Sequence, residues 1–214
     1  MAITKTTAIW IWTGITAAMW IGWLVVRILF GGDCPQPDLA SNFDRDLYLG
    51  RWYEMFREVS VPFESYDCAT ATYYDLGNNY IDVNNIEFDV DNQVFPNGME
   101  PGDARAQCSF WQPGLCQVKF FELAPWSDYK IIETDHTSYS VVYGCDSFIA
   151  GMIKLEWMWV LTRNPLEINS ADWTSMQTTV FNAITTKIPT FDPNTRMRST
   201  IQTTGSGCQY TPYP

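Results

Sequence analysis

Leu49-Gly50-Arg51-Trp52-Tyr53 opens the polar part of this 214-residue chain and is the first of three ordered signals. Thr134-Asp135 ahead of Tyr139 is the second, and Arg163 is the third. Between and around them lie runs rich in aromatic and β-branched residues: 51–59, 67–76, 80–90, 116–123, 129–134, 138–145 and 154–162. Gly77-Asn78-Asn79, Asp91-Asn92, Pro125 and Gly151 separate these runs as turn signals. Short strands at regular intervals predict an antiparallel barrel or sandwich, not a parallel α/β sheet. The polar stretch 98–107 reads as a loop or a weak edge.

Past the last strand, Trp173, Met176, Val180, Ile184 and Ile188 recur at helical spacing. Asn169 or Ser170 can cap this helix and Pro189 ends it. Its apolar stripe suits packing on the outside of a sheet. The residues after it form a Thr, Pro and Gly tail that carries Cys208.

Charge is distributed unevenly. Lys5 and Arg27 are the only charges among residues 1–32, so all 24 acidic residues follow them. The net charge is −11, a surface that repels nucleic acid phosphates and anionic headgroups. From Ala8 to Phe30, Arg27 is the only charge, and as a helix this run would extend roughly 34 Å, enough to cross a bilayer core. A cleavable signal has an apolar region of roughly 7 to 15 residues and a small-residue cut site, which Ile28-Leu29-Phe30-Gly31-Gly32 does not supply. We therefore expect a retained transmembrane anchor over 1–32 and a folded domain over 33–214. Gly14, Ala18 and Gly22 share one stripe of that helix, where another transmembrane subunit could approach closely.

The six cysteines, Cys34, Cys68, Cys108, Cys116, Cys145 and Cys208, all follow this segment. Their even number suggests a disulfide framework and an oxidising compartment. The intermembrane space of a mitochondrion is favoured, with a periplasm, lumen or extracellular space as alternatives. No Asn-x-Ser/Thr sequon occurs, which argues against a secretory route. Cys108 and Cys116 bracket a turn-bearing stretch that could bring two strands into register for a local bridge, two buried thiols being the alternative. Zinc is not expected, because there is no Cys-x-x-Cys and His136 is the only histidine.

Together the three signals and their flanks resemble the lipocalin family, in its apolipoprotein D and bacterial outer-membrane branch. Asn42-Phe43-Asp44 before Tyr48-Leu49-Gly50-Arg51-Trp52-Tyr53-Glu54, then Val141-Val142-Tyr143-Gly144-Cys145, then Leu161-Thr162-Arg163-Asn164-Pro165, carry the likeness. The resemblance implies an all-β, eight-stranded antiparallel up-and-down barrel with one C-terminal amphipathic helix, here preceded by a single transmembrane helix. It also implies that Cys34 pairs with Cys145 and Cys68 with Cys208. Gly50, Trp52, Thr134, Asp135, Tyr139 and Arg163 then act as structure: Trp52 closes the narrow end, with Arg163 laid over its ring as a cation on a π face.

Such a barrel has room for one small hydrophobic or lipid ligand, in a cavity of roughly 300 to 1,000 Å³ lined by apolar and aromatic side chains. Trp159 is the leading candidate for the lining, by likeness to an inward-facing tryptophan and by strand parity with Arg163. Trp157, Phe56, Tyr74, Phe88, Phe110, Phe121 and Tyr143 are further candidates. No cofactor is implied, and no catalysis is expected: one histidine makes no Ser-His-Asp set, and paired cysteines offer no thiolate. Glu54, Glu58, Glu122 and Glu133 read as solvated barrel faces. The alternative is a non-catalytic accessory subunit of a respiratory or photosynthetic membrane complex, with the barrel as a docking module.

Overall fold

The computed structural model describes residues 5–30, 32–96, 104–120, 123–148 and 151–213, with the side chains of 5–11, 14 and 27–30 left out. Two compact units result: residues 1–35 with 145–156, and residues 36–144 with 157–214.

In the first unit, helix α1 spans Lys5–Phe30, and Gly32 N–H donates to the Gly151 carbonyl at 3.0 Å. Among the described residues no helix is long and apolar enough to cross a membrane. The transmembrane anchor expected at 1–32 is therefore not shown. Of the expected small-residue stripe, Gly14 lies outside the described side chains, while Ala18 and Gly22 are exposed. A disulfide joins Cys34 to Cys145.

Among the described residues, nine strands form one sheet: β1 Gly50–Glu58, β2 Asp67–Gly77, β3 Tyr80–Phe88, β4 Ala104–Cys108, β5 Leu115–Lys119, β6 Ser127–Thr134, β7 Tyr139–Phe148, β8 Ile153–Thr162 and β9 Met197–Ser199. Each of the first eight pairs with its sequence neighbour, and β1 also pairs with β8 in the register Tyr53↔Thr162 to Arg57↔Trp159. That pairing closes an eight-stranded antiparallel barrel, and β9 adds to β1 at Phe56↔Ser199 through Glu58↔Met197. Closure pairs Tyr53–Arg57 of β1 with Trp159–Thr162 of β8, so that stretch is not a free edge.

Residues 104–108, expected as loop or weak edge, form a full barrel strand. Ala104 and Ala106 are buried and alternate with exposed Arg105, and the strand bonds to β3 on one side and β5 on the other. Small inward residues gave this strand little β signal in the sequence, and pairing on both edges compensates. In β1 a bulge between Glu54 and Phe56 inserts one residue, so the alternation of faces reverses there.

Helix α2, Arg45–Tyr48, precedes β1 and is capped by the Asp44 carboxylate, which accepts from the N–H of Asp46 and Leu47. Helix α3, Ala171–Lys187, is capped by the Ser170 hydroxyl and ends at Ile188. It packs on the outer face of the barrel through Trp173 and Phe181, whose rings lie 5.3 and 5.0 Å from that of Phe56. The chain then runs through a short helix α4, Pro193–Arg196, to β9 and to Cys208, which is bonded to Cys68.

Candidate functional site

The site lies wholly in the second unit, and its floor is set by the end of the barrel where β1 begins. Trp52 is fully buried there, its indole N–H donating to the Tyr48 carbonyl at 2.9 Å. The Arg163 guanidinium lies 3.7 Å from the Trp52 ring centroid. It also donates to the carbonyls of His136 (2.9 Å), Arg51 (3.1 Å), Leu47 (2.7 Å) and Tyr48 (3.3 Å). A side chain at position 50 would have no room: Gly50 has φ +95°, and a Cβ there would sit 2.9 Å from the Tyr213 hydroxyl. Thr134, Asp135 and Tyr139 form the adjoining turn. The Asp135 carboxylate accepts from the N–H of Thr137, Ser138 and Tyr139 at 2.7–3.1 Å, and the Thr134 hydroxyl donates to the Tyr139 carbonyl. His136 takes a left-handed φ of 65°, which aims its Nε2 at the Asp44 N–H 2.9 Å away. All these groups brace the end of the barrel and do not line its interior.

Above the plug, Tyr73 and Tyr129 cross the barrel and share a hydrogen bond of 2.5 Å between their hydroxyls. Burial pushes both phenols well above the usual tyrosine range, and that of Tyr48 beneath them up to about 12, so all three stay neutral. This pair floors a small cavity of about 40 Å³. Apolar walls come from Ala71, Val83, Phe120, Trp159 and Leu161. The loop 59–66 lies across the other end: Phe63 packs on Phe120 at 4.7 Å and edge-on against Trp157 at 5.8 Å.

One wall is acidic, with Glu54, Glu64 and Glu87 facing the cavity. Arg57, buried beside them, donates to Glu54 at 2.9 Å, to Glu87 at 3.2 Å and to the Tyr66 carbonyl at 2.8 Å. Glu87 also accepts from the N–H of Ser65 and Tyr66, so it and Arg57 together clasp the second half of the loop. Glu64 accepts from the Trp159 indole N–H at 2.8 Å, which ties the loop to the barrel wall. Burial first, and then the charge of Glu54, push the Glu64 carboxyl well above the usual carboxylate range.

The eight aromatic residues expected to line a cavity are placed as follows. Trp159 is in the wall and Trp157 is at its rim under Phe63. Phe56 faces helix α3 instead, because the bulge after Glu54 turns it outward. Tyr74 points away since its neighbour Tyr73 shares a face with Ala71, the cross-strand partner of Trp52. Phe88 packs with Phe95 beside the Cys68–Cys208 bond. Phe110 is 77 % exposed on the tip of the hairpin that the Cys108–Cys116 bond closes. Tyr143 is buried on the face opposite Val142, a residue of the interior core. Phe121 lies outside the described residues, and Phe120 occupies the wall.

Two of the carboxylates read as solvated are in fact buried. Glu54 bonds to Arg57 and to the Thr200 hydroxyl at 2.6 Å, and Glu58 bonds to Arg196 at 3.2 Å. Glu133 is half-buried and pairs with Lys187, and Glu122 is outside the described residues. Sequence reasoning missed Tyr73, Tyr129, Phe120, Glu64, Glu87 and Asn85. Parity from Trp52 finds Tyr73 only once the β1–β2 register is known, and the acidic wall left no local pattern.

No protein-family model matches the chain. Among curated proteins, apolipoprotein D of Rattus norvegicus is 39 % identical over 134 residues, which cover 63 % of this chain and 68 % of the relative. Apolipoprotein D of Mus musculus is 37 % identical over 137 residues, and the Lazarillo protein of Schistocerca americana 29 % over 132. Among solved structures, insecticyanin from the tobacco hornworm Manduca sexta superposes with a TM-score of 0.65 at 19 % identity, over 85 % of this chain and 92 % of that one. Lobster apocrustacyanin A1 gives 0.60 at 18 % identity, over 81 % and 91 %. At such identities the structural matches speak for the fold alone.

Proposed function

The chain belongs to the lipocalin family, and on that premise we propose that its barrel binds one small hydrophobic ligand beneath the loop 59–66. The chamber between the Tyr73–Tyr129 floor and the Phe63–Phe120–Trp157 cap carries this reading. At about 40 Å³ the chamber is far smaller than the roughly 300 Å³ at the low end of ligand pockets, so ligand entry displaces the aromatic cap. No catalytic step is proposed. Each of the six cysteines is held in a disulfide, which leaves no thiolate among them, and the buried carboxylates are bound to Arg57, Arg196 and the loop.

The three disulfides indicate an oxidising compartment. The test of the binding reading is a titration with the neutral dye Nile red. One dye should bind per chain, with an emission shift to the blue, and Ala71→Phe, which fills the chamber, should abolish it while the far-ultraviolet circular dichroism stays unchanged. Binding that survives Ala71→Phe would place the dye elsewhere and defeat the reading.

Attachment of the domain to a membrane through α1, and the accessory-subunit role that would go with it, is a second proposal. Its support is a helix of 26 residues, about 39 Å long, that exposes Trp12, Ile15, Met19, Trp20, Ile21 and Leu24. Alkaline carbonate extraction tests it: release of the protein into the soluble fraction would refute attachment. Native separation after gentle detergent extraction tests the subunit role, with migration as a lone monomer against it. The mitochondrial intermembrane space is the compartment this second proposal favours.

A further inference from the structure

Acceptors outnumber donors around the chamber. The Arg57 guanidinium is committed to Glu54, Glu87 and the Tyr66 carbonyl, and the Trp159 N–H is committed to Glu64. Tyr73 and Tyr129 share one hydrogen bond, and their remaining phenol O–H is turned to Tyr48 beneath them. Against this, three carboxylates face the cavity, and Asn85 Oδ1, on the same wall, is buried without any hydrogen-bond partner. A buried acceptor left unmatched is costly, and Glu54 and Glu87 share the one Arg57 guanidinium, which leaves excess negative charge even with the Glu64 carboxyl neutral; a cation beside Glu64 would favour its ionised form. A carboxylate-headed ligand adds like charge to this wall, and a purely apolar one leaves Asn85 as it is. A protonated amine brings three donors and a compensating charge in a compact head. The chamber of about 40 Å³ has room for such a head, since a water-sized group needs roughly 10–15 Å³ of such space.

Resting on the reading of the barrel as a binding site, we infer that its ligand is a cationic amphiphile whose ammonium head sits among Glu64, Glu87 and Asn85. Its apolar body lies against Tyr73, Phe120 and Leu161 and takes the place of the Phe63 cap. The site thereby selects against fatty-acid carboxylates of the same length.

The test compares hexylamine, 1-hexanol and hexanoate by isothermal calorimetry at neutral pH and roughly 0.15 M salt, which screens the acidic surface. Hexylamine should bind at least about tenfold more tightly than 1-hexanol, as expected for one charge-assisted contact in a shielded site, and hexanoate should bind most weakly. Glu64→Gln should remove the advantage of the amine and leave 1-hexanol unchanged, since glutamine keeps the acceptor for Trp159. Asn85→Leu, a second variant that keeps the carboxylates, should weaken the amine and strengthen the alcohol. Equal or tighter binding of 1-hexanol or hexanoate would overturn the inference, as would an amine advantage that persists in both variants. Nile red bound without any amine preference sinks the ammonium head alone; failure of Nile red and of all three probes sinks the binding reading itself.

Discussion

Replacing Arg163 by lysine tests whether the closed end of the barrel depends on a planar fork or merely on a positive charge. The guanidinium reaches four backbone carbonyls through Nε, Nη1 and Nη2 while its plane rests 3.7 Å from the Trp52 ring centroid. An ammonium keeps the charge, but one nitrogen replaces three, so it can keep about the two carbonyls that share Nη2, those of Leu47 and Tyr48, and loses those of His136 and Arg51. Two lost bonds to a charged donor, taken at the low end for a half-exposed group, cost about 1–1.5 kcal/mol each, and weaker stacking adds about 0.5 kcal/mol. Arg163→Lys should therefore destabilise by about 2–4 kcal/mol, or lower Tm by roughly 5–15 °C in a domain of this size. Urea unfolding followed by tryptophan fluorescence, with disulfides intact, measures this directly. Arg163→Met, which removes every donor, should cost more. A lysine variant within about 0.5 kcal/mol of wild type would show that the fork geometry contributes nothing and would refute the reasoning.

Other perturbations separate the remaining parts. The folded-state pKa of Glu64 is raised by burial and by Glu54, so its ionisation opposes folding as pH rises above the ordinary carboxylate value near 4.5. Glu64→Gln should thus raise Tm at pH 7–8 and leave it unchanged near pH 4; a gain of the same size at both pH values would contradict this assignment. Trp52→Ala should destabilise by about 3–5 kcal/mol, whereas Trp159→Phe should cost under about 1.5 kcal/mol yet weaken ligand binding. Equal losses of stability would erase the distinction between plug and lining. Removing the Cys108–Cys116 bond should cost about 2.5 kcal/mol by loop-closure entropy, and removing Cys68–Cys208 about 5 kcal/mol, their sequence separations being 8 and 140. Chemical denaturation of the paired alanine variants ranks them, and the reverse order would reject the entropic account.

The parts of the molecule that could be read from sequence are those whose geometry is local. Gly50-Arg51-Trp52, the Thr134-Asp135 turn and the 173–188 periodicity each describe a turn, a strand start or a helix face, and each appears at the stated place. What escaped was decided by nonlocal register. One inserted residue in β1 turned Phe56 from the interior to the helix, and the β1–β2 register chose Tyr73 over Tyr74. Glu54, Glu58, Glu64 and Glu87 look in sequence like any surface carboxylate. Only closure of the barrel gathers Glu54, Glu64 and Glu87 around Arg57, and only the return of the chain after α3 supplies Thr200 to Glu54 and Arg196 to Glu58.

The Cys68–Cys208 bond sits at the far hinge of loop 59–66, beside Asp67, which bonds to Arg198 and to the N–H of Ile201. That hinge is thereby fastened to the end of the chain. The other end is fastened too, Ser60 N–H donating to the Glu58 carboxylate at 2.8 Å and Val59 N–H to the Arg196 carbonyl at 2.9 Å, which leaves the middle of the loop, at Phe63, as the part free to lift. If the barrel binds as proposed, capture would be gated: its rate would saturate at the frequency with which Phe63 leaves Phe120, and the apparent affinity would be the intrinsic one reduced by the fraction of time the gate stands open. Residence time would be set less by the fit of the ligand than by how often a pinned loop lets go.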